Sequence, residues 1–457
     1  MGSFYVENFG CRATQADGAA IERQLEQRGW QRAHGASEAR LVVLNTCTVT
    51  AAADQDARAA IRRIHRANPG CEIVVTGCYA QRAPQEISAL PGVTRVIGNS
   101  HKHVLAELIS PNQQQVARSS PSENAFVSLH ELVKPAQEMP VFVSDIFAHT
   151  ELLAAPVFDA ANERTRPNLK VQDGCDNRCS FCVIPYVRGH SRSLPIERVL
   201  AEVNTLVDAG YREVVISGIN LGRWGRDLGD AGFEDLVRAI LDRTALEKLR
   251  ISSVEPMDWS NELIALVAGS ARIAKHAHVP MQSGSDRVLR LMHRKYRPWH
   301  YREKILKIRA AMPAAAIGAD VMVGFPGESD QDFEETRQLI EDLPFTYLHV
   351  FTYSARPGTP AASMGEQVPG SLARERNRVL RDLATRKKLE FMASFIGQTV
   401  EAITLRSAGD LEAQHYTEGL TENYLKLRLR ERHEGNRWIT ARIESVEDGA
   451  LIGRIES

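Results

Sequence analysis

Seven cysteines, Cys11, Cys47, Cys71, Cys78, Cys175, Cys179 and Cys182, stand in a chain of 457 residues. That is too sparse and too uneven for a disulfide scaffold, so metal binding or catalysis is the use to consider. The tighter group lies in DGCDNRCSFCVIP, where Cys175, Cys179 and Cys182 are spaced C-x3-C-x2-C. Such spacing would put all three on one helix face, but Gly174 and Pro185 bracket the run as a loop. A structural zinc site would want a second pair of ligands close by, and the neighbouring sequence offers none. The looser group, Cys11, Cys47 and Cys78, has gaps of 36 and 31 residues. Each member follows a β candidate, SFYVENFG, ARLVVLNT and EIVVTG, at intervals near one βα unit. A single such cysteine is most often a small buried hydrophobe; three at equivalent strand ends are much harder to obtain by accident. Parallel strands bring their C-terminal ends to one sheet edge, where ligands of open α/β sheets bind. Soft thiolates there suit zinc or an iron-sulfur cluster. Cys71 precedes its strand and is expected at the opposite edge, as a spectator.

Elements that could position these residues are legible along the chain. Residues 1–110 alternate β-branched apolar runs with helical stretches around Ala20 and Ala60, the pattern of a parallel α/β domain. Residues 111–164, with SPNQQQVARSSPSEN and scattered prolines, read as a connecting segment, partly helical and partly irregular. From 165 to 395 six strand-like runs, LKVQDG, EVVISG, KLRISSVE, HAHVP, AIGADVMVG and YLHVFTYS, alternate with helical ones. This predicts a partial (β/α)6 barrel whose functional face is the C-terminal strand ends. The first run leads directly into the tighter cysteine group. A basic helix is expected over 371–391, with Arg374, Arg376, Arg378, Arg381, Arg386, Lys387 and Lys388. Residues 396–457 carry short strands that predict a small all-β barrel. The fold class is therefore α/β multidomain.

Composition sets outer bounds. Hydrophobic residues are 43% and charged ones 25%, ordinary for a globular protein. No apolar run reaches the roughly 18 residues of a membrane span, and MGSFYVENFG lacks the features of a signal peptide; a cytoplasmic protein without membrane contact is expected. The net charge of −1 leaves any nucleic-acid contact to local patches. From 397 to 457, eleven acidic residues outnumber eight basic ones. Even so, Lys426, Arg428 and Arg430 alternate with Leu425, Leu427 and Leu429, which gives one strand a cationic face, either a phosphate contact or an ordinary solvated surface.

With Phe181 before its third cysteine, the C-x3-C-x2-C run resembles the signature of the radical S-adenosylmethionine superfamily. The resemblance implies a 4Fe-4S cluster held by Cys175, Cys179 and Cys182, with S-adenosylmethionine on its open iron as source of a 5′-deoxyadenosyl radical. Together, Cys11, Cys47 and Cys78, the barrel and the small terminal barrel resemble the methylthiotransferase family over essentially the whole chain. Within it the passages NTCTVTAAADQDARAAIRR, CDNRCSFCVIPYVRGHSRS and HVFTYSARPGTPAASMGEQV are most similar to members acting on N6-threonylcarbamoyladenosine beside the tRNA anticodon. A second, auxiliary 4Fe-4S cluster on Cys11, Cys47 and Cys78 is implied, as is a terminal barrel that is a TRAM domain. Thr14 and Asp17-Gly18 depart from the family's usual Asn and its Glu-Ser or Asp-Ser pair.

The implied reaction has two stages: one S-adenosylmethionine methylates sulfur at the auxiliary cluster, and a second yields the radical that removes hydrogen from adenine C2. Expected partners are tRNA through its anticodon stem-loop, an external electron donor and a sulfur donor. In such a barrel the cofactor is expected to meet Phe181 and strand-end residues: Ser217, Gly218 and Asn220, Ser253 and Glu255, Gln282 and Ser283, and Gly324 onward through Gly327 to Glu328. Glu255 is favoured because a carboxylate can accept from the ribose or the methionyl ammonium. Lys426, Arg428 and Arg430 are the expected RNA contacts. Alternatives are isopentenyladenosine in tRNA, a ribosomal-protein aspartate, or, in another class, a zinc-containing RNA-binding scaffold.

Overall fold

A computed structural model describes residues 2–109, 139–152, 156–157, 165–229, 231–405 and 416–456. Much of the predicted connector therefore lies outside the described residues. The chain divides into two compact units, Met1–Ala155 with Ile184–Gly189, and Pro156–Val183 with His190–Ser457.

The first unit is built on a parallel sheet of β1 (Ser3–Asn8), β2 (Gln31–Arg32), β3 (Leu41–Thr46), β4 (Glu72–Gly77), β5 (Val93–Gly98) and β6 (Val141–Phe142) in the order β2-β1-β3-β4-β5-β6. Every residue of β3 is buried, because alternate side chains serve different cores. Val42 and Leu44 meet Ala57, Ala60, Ile61 and Ile64 of the helix Ala51–Ala67. On the other face Leu41 and Val43 join Ile21 and Leu25 of the helix Arg12–Gln27. The three sequence-predicted strands are β1, β3 and β4. The reading missed β5, and Val141–Phe142, inside the expected connector, pairs with it.

The second unit holds six parallel strands: β8 (Asn168–Asp173), β10 (Glu213–Gly218), β11 (Lys248–Ile251), β12 (His276–His278), β13 (Ala316–Val323) and β14 (Tyr347–Thr352). They match the six predicted runs. Single parallel bridges, Leu249 to Ile273 and Ser253 to His278, carry the arc from β11 to β12. Short antiparallel pieces, β7 (Pro156–Val157) and β9 (Arg192–Ser193), pair with β8. Among the described strands β14 pairs only with β13, so the barrel is partial.

The long helix Gly370–Ala393 leads to a closed barrel of β15 (Thr399–Thr404), β16 (Thr417–Thr421), β17 (Lys426–Leu429), β18 (Trp438–Glu447) and β19 (Ala450–Ile455). Its core of Val400, Leu427, Leu429 and Ile443 is completed by Met392 and Phe395 at the helix end. The β16–β17 turn fixes this barrel to the floor of the larger one. Arg250 donates to the Glu422 carbonyl at 3.0 Å, Asn423 to the Ala314 carbonyl at 2.9 Å, and Lys248 pairs with Glu401 and Glu422 at 3.1 and 3.3 Å. Tyr424, at φ 68°, sets its ring 5.0 Å from His276 and 5.9 Å from Tyr347.

Candidate active site

In the first unit the strand register aligns Asn8 with Asn45 and Thr46 with Gly77. Cys11, Cys47 and Cys78 therefore follow three adjacent strands at the same edge. Cys11 is the exposed N-cap of the helix Arg12–Gln27, whereas Cys47 and Cys78 are buried. Burial pushes the Cys47 thiol up to about 11, reinforced by Cys78 and then Cys11. Cations can replace these protons, so loading must release them. Among the described residues no three His, Cys, Asp or Glu side chains are close enough to share one ion. A group spanning several ångströms, such as an iron-sulfur cube, fits three thiolates on neighbouring strand ends better than a zinc ion bonded at about 2.3 Å to each sulfur.

The loops that carry these cysteines are tied down by polar contacts. Thr50 caps the helix after Cys47, accepting from the Ala53 amide at 3.2 Å. Arg82, just past Cys78, donates to Thr48 at 2.9 Å and pairs with Asp54 at 3.1 Å, joining the loops after Cys47 and Cys78. Buried Cys71 begins the approach to β4 from its N-terminal side, the edge opposite the trio. Two buried cations, Lys102 and Arg188, escaped the sequence reading. Asp17 Oδ2 receives Lys102 Nζ at 2.9 Å and Arg188 Nη2 at 3.0 Å, and Asn45 Oδ1 receives Lys102 Nζ at 3.3 Å. Burial lowers the Lys102 pKa, opposed by Asp17.

In the second unit residues 174–183 are irregular rather than helical, which removes the helix-face alternative for Cys175, Cys179 and Cys182. Buried Gln172 organises the loop. Its Nε2 donates to the carbonyls of Asp173 and Gly174 and its Oε1 accepts from the Asn220 amide at 2.7 Å. Ser180 secures the far side, through its Oγ on the Leu291 carbonyl at 2.7 Å. Asn220 Nδ2 stands 3.7 Å from Cys175 Sγ, and Arg294 Nη1 lies 3.3 Å from Cys179 Sγ while pairing with Glu255. Burial pushes the Cys175 thiol up to about 11. A small cavity lies among Cys179, Glu255, Arg223, Arg294 and Met257.

Ser217 Oγ and Asn220 Oδ1 are buried with no hydrogen-bond partner among the described residues. Such groups are costly unless something satisfies them, so the β10 end suits a polar cofactor beside Cys175. Ser253 instead meets His278 Nδ1 at 2.6 Å, with His278 3.5 Å from Asp320. Other expected contacts are engaged between elements. Phe181 meets Phe325 edge-on at 6.5 Å, and Ser283 meets Thr336 at 3.2 Å. Gln282 links β12 to β13 at φ 63°, its amide on the Asp320 carbonyl at 2.8 Å. A Cβ on Gly218 would stand 2.8 Å from Gln172 Oε1, and one on Gly324 2.6 Å from the Ala373 Cβ. Glu328 is held by Arg376 at 2.8 Å.

Leu425, Leu427 and Leu429 point inward, while Lys426 and Arg430 are exposed and Arg428 is half-buried. Arg428 lies 3.6 Å from Asp448 and Arg430 3.4 Å from Glu444. Lys426 and Arg428 share a cavity of about 690 Å³ with Arg381 and Lys388 of the long helix and with Tyr347 and Tyr424. The basic helix and the cationic strand thus form one surface.

The model of uncharacterized protein family UPF0004 matches residues 3–98, and that of the radical SAM superfamily matches residues 169–340. The chain is 35% identical to threonylcarbamoyladenosine tRNA methylthiotransferase MtaB of Bacillus subtilis, over 93% of this chain and 90% of that protein. It is 34% identical to the tRNA-2-methylthio-N(6)-dimethylallyladenosine synthase of Thermobifida fusca, over 90% and 80%. Among solved structures it resembles the radical S-adenosylmethionine methyltransferase TsrM from Kitasatospora setae, with cobalamin and a [4Fe-4S] cluster bound. The TM-score is 0.56 at 16% identity, covering 79% of this chain and 73% of that one, a likeness of fold.

Proposed function

Because this chain belongs to the radical S-adenosylmethionine methylthiotransferase family, we propose that it converts N6-threonylcarbamoyladenosine, 3′ of the tRNA anticodon, to its 2-methylthio derivative. The enzyme uses 4Fe-4S clusters and S-adenosylmethionine and acts on tRNA. What supports the assignment of two clusters is the pair of separate cysteine trios, the first just past the C-terminal ends of three parallel strands and the second in the single loop that follows β8. When bound, these cofactors supply the radical that takes hydrogen from adenine C2 and the sulfur that replaces it.

The chain's own residues do the rest. Cys175, Cys179 and Cys182 hold one cluster and Cys11, Cys47 and Cys78 the other. Asn220, Ser217 and Glu255 orient S-adenosylmethionine, with Arg294 fixing the Glu255 carboxylate beside Cys179. Ser253, Gln282 and Phe181 line the cofactor's remaining surroundings, and Gly218, Ser283 and Gly324 hold the strand ends that bear them. Lys426, Arg428 and Arg430, with the helix cations Arg381 and Lys388, meet the phosphates of the anticodon stem-loop. An adenine in that loop is unstacked at low cost. An external reductant delivers the electron, and a tRNA substrate supports the reading of a cytoplasmic enzyme.

Cys175→Ala is expected to abolish S-adenosylmethionine cleavage, whereas Cys11→Ala spares cleavage and stops thiolation. Identical behaviour of the two would overturn this division of labour. The likeness to the dimethylallyladenosine synthase makes that nucleoside the second reading. Mass spectrometry of tRNA nucleosides from a deletion strain separates the two by which methylthio-nucleoside disappears. Anaerobic purification yields a brown iron protein on either tRNA reading and a colourless zinc protein on the scaffold alternative.

A further inference from the structure

Cys179 is fastened to an element far along the chain. The helix Asp286–Leu291 ends in a left-handed turn at His293, φ 56°. There the His293 amide donates to the Arg290 carbonyl at 2.9 Å and the Arg294 amide to the Leu289 carbonyl at 2.8 Å. Helices usually close this way on glycine, and a side chain at such a φ is uncommon. The same helix end holds both neighbours of Cys179. The Ser180 amide donates to the Met292 carbonyl at 3.2 Å, Ser180 Oγ to the Leu291 carbonyl at 2.7 Å, and His293 Nδ1 lies 3.2 Å from the Arg178 carbonyl.

The turn delivers Arg294, which is 7% exposed. Its guanidinium serves two acceptors at once: Nη1 donates to Cys179 Sγ at 3.3 Å, and Nη2 pairs with the Glu255 carboxylate. The Tyr296 ring lies under it, 5.0 Å away. That ring is buried and fixed in turn, its hydroxyl donating to the Pro280 and Met281 carbonyls at 3.1 and 2.6 Å. A planar fork stacked on an aromatic face can reach a sulfur and a carboxylate together, which a single ammonium on a flexible stem does poorly.

We propose that Arg294 is a positioning residue whose hydrogen bond to the Cys179 sulfur raises the reduction potential of the group held by Cys175, Cys179 and Cys182. This rests on the reading that the trio holds a 4Fe-4S cluster. A thiolate bonded to iron still accepts hydrogen bonds, and such bonds are among the features that set a cluster's potential. Reduction puts more negative charge on the sulfurs, so a bond from a cationic donor strengthens. The reduced form therefore gains more than the oxidised form. Glu255 competes for the same guanidinium and opposes the effect. Arg294 retains its charge at any pH the fold survives.

The test uses the full chain with Cys11, Cys47 and Cys78 changed to Ala, so that one cluster remains, and no S-adenosylmethionine is added. After anaerobic reconstitution it is titrated with dithionite and followed by electron paramagnetic resonance. Electron-nuclear double resonance of the reduced protein in H2O and D2O reads exchangeable protons beside the cluster. Arg294→Met is expected to lower the midpoint potential and to remove one exchangeable-proton coupling. Glu255→Gln is expected to raise the midpoint and keep that coupling. Each shift is on the order of tenfold in the oxidised-to-reduced ratio at fixed potential, about 59 mV for one electron. Damage to the fold would reduce iron content without moving the two midpoints in opposite directions. If Arg294→Met takes up no iron, Arg294→Lys stands in: a smaller fall in midpoint supports the bond, and no fall overturns it. An unchanged midpoint in iron-replete Arg294→Met, or a coupling that survives there, also overturns it. A parent protein that takes up no iron overturns the cluster reading beneath it.

Discussion

A Cβ on Gly18 would stand 1.9 Å from Asn8 Oδ1, which explains one departure from the family pattern. Glycine inside a helix costs about 1 kcal/mol relative to alanine, and here it lets Asn8 come close enough to accept from Asn45 Nδ2 at 3.0 Å. Gly18→Ser is expected to push Asn8 aside and destabilise the chain by about 1–3 kcal/mol, seen as a lower Tm of the cluster-free protein. An unchanged Tm would mean that the neighbouring side chain moves without strain. At this scale the cysteines were legible because ligand chemistry demands particular residue types at particular places. Lys102 and Arg188 were not, since they meet Asp17 from 85 and 171 residues away. Pairings at such separations leave no spacing signature. Arg294 was hidden for the same reason, 115 residues from Cys179.

Strands announced themselves wherever burial on both faces forced an unbroken apolar run, as in β3 and β4. β5 was missed because Thr94 and Arg95 interrupt VTRVIG, and β16 because TEGLT offers one large apolar residue. Floor interactions of the large barrel were also invisible, although they govern its stability. Glu213 at the start of β10 is fully buried, 2.5 Å from Arg250 and 3.5 Å from Arg166. Burial pushes its pKa up, but Arg250 and then Arg166 hold it below the ordinary value. The pair's stabilisation is therefore full above the usual glutamate pKa of about 4.3 and is lost as pH falls through the lower folded value. Glu213→Gln leaves Arg250 without its counter-ion and is expected to cost about 3–5 kcal/mol at neutral pH. In acid the difference between variant and parent should shrink. A denaturant midpoint series from pH 7 to about 3 tests both, and a pH-independent difference would point to lost packing instead.

For the molecule as a whole, composition and element rhythm gave the order of the modules, while the joint formed by Glu422, Asn423 and Tyr424 depends on contacts that no local pattern encodes. The same limit applies to the RNA surface. Alternation identified the β17 cations, but only the fold sets them beside Arg381 and Lys388. Replacing Lys426, Arg428 and Arg430 together by alanine is expected to weaken tRNA binding and to flatten its salt dependence by up to about three in slope. S-adenosylmethionine cleavage should persist. Because Asp448 and Glu444 already engage two of these cations, the measured change is expected below that ceiling. Filter binding between about 50 and 200 mM salt reads it, and an unaltered slope would remove this strand from the interface. The first unit, finally, takes Ile184–Gly189 from far along the chain, and with it Arg188. No single cut in the polypeptide can release that unit intact: a fragment ending before residue 156 keeps all three thiols of its trio yet loses Arg188, which pairs with Asp17 at 3.0 Å. Gene fission or modular exchange at that boundary would thus yield a recipient sheet already missing a structural part.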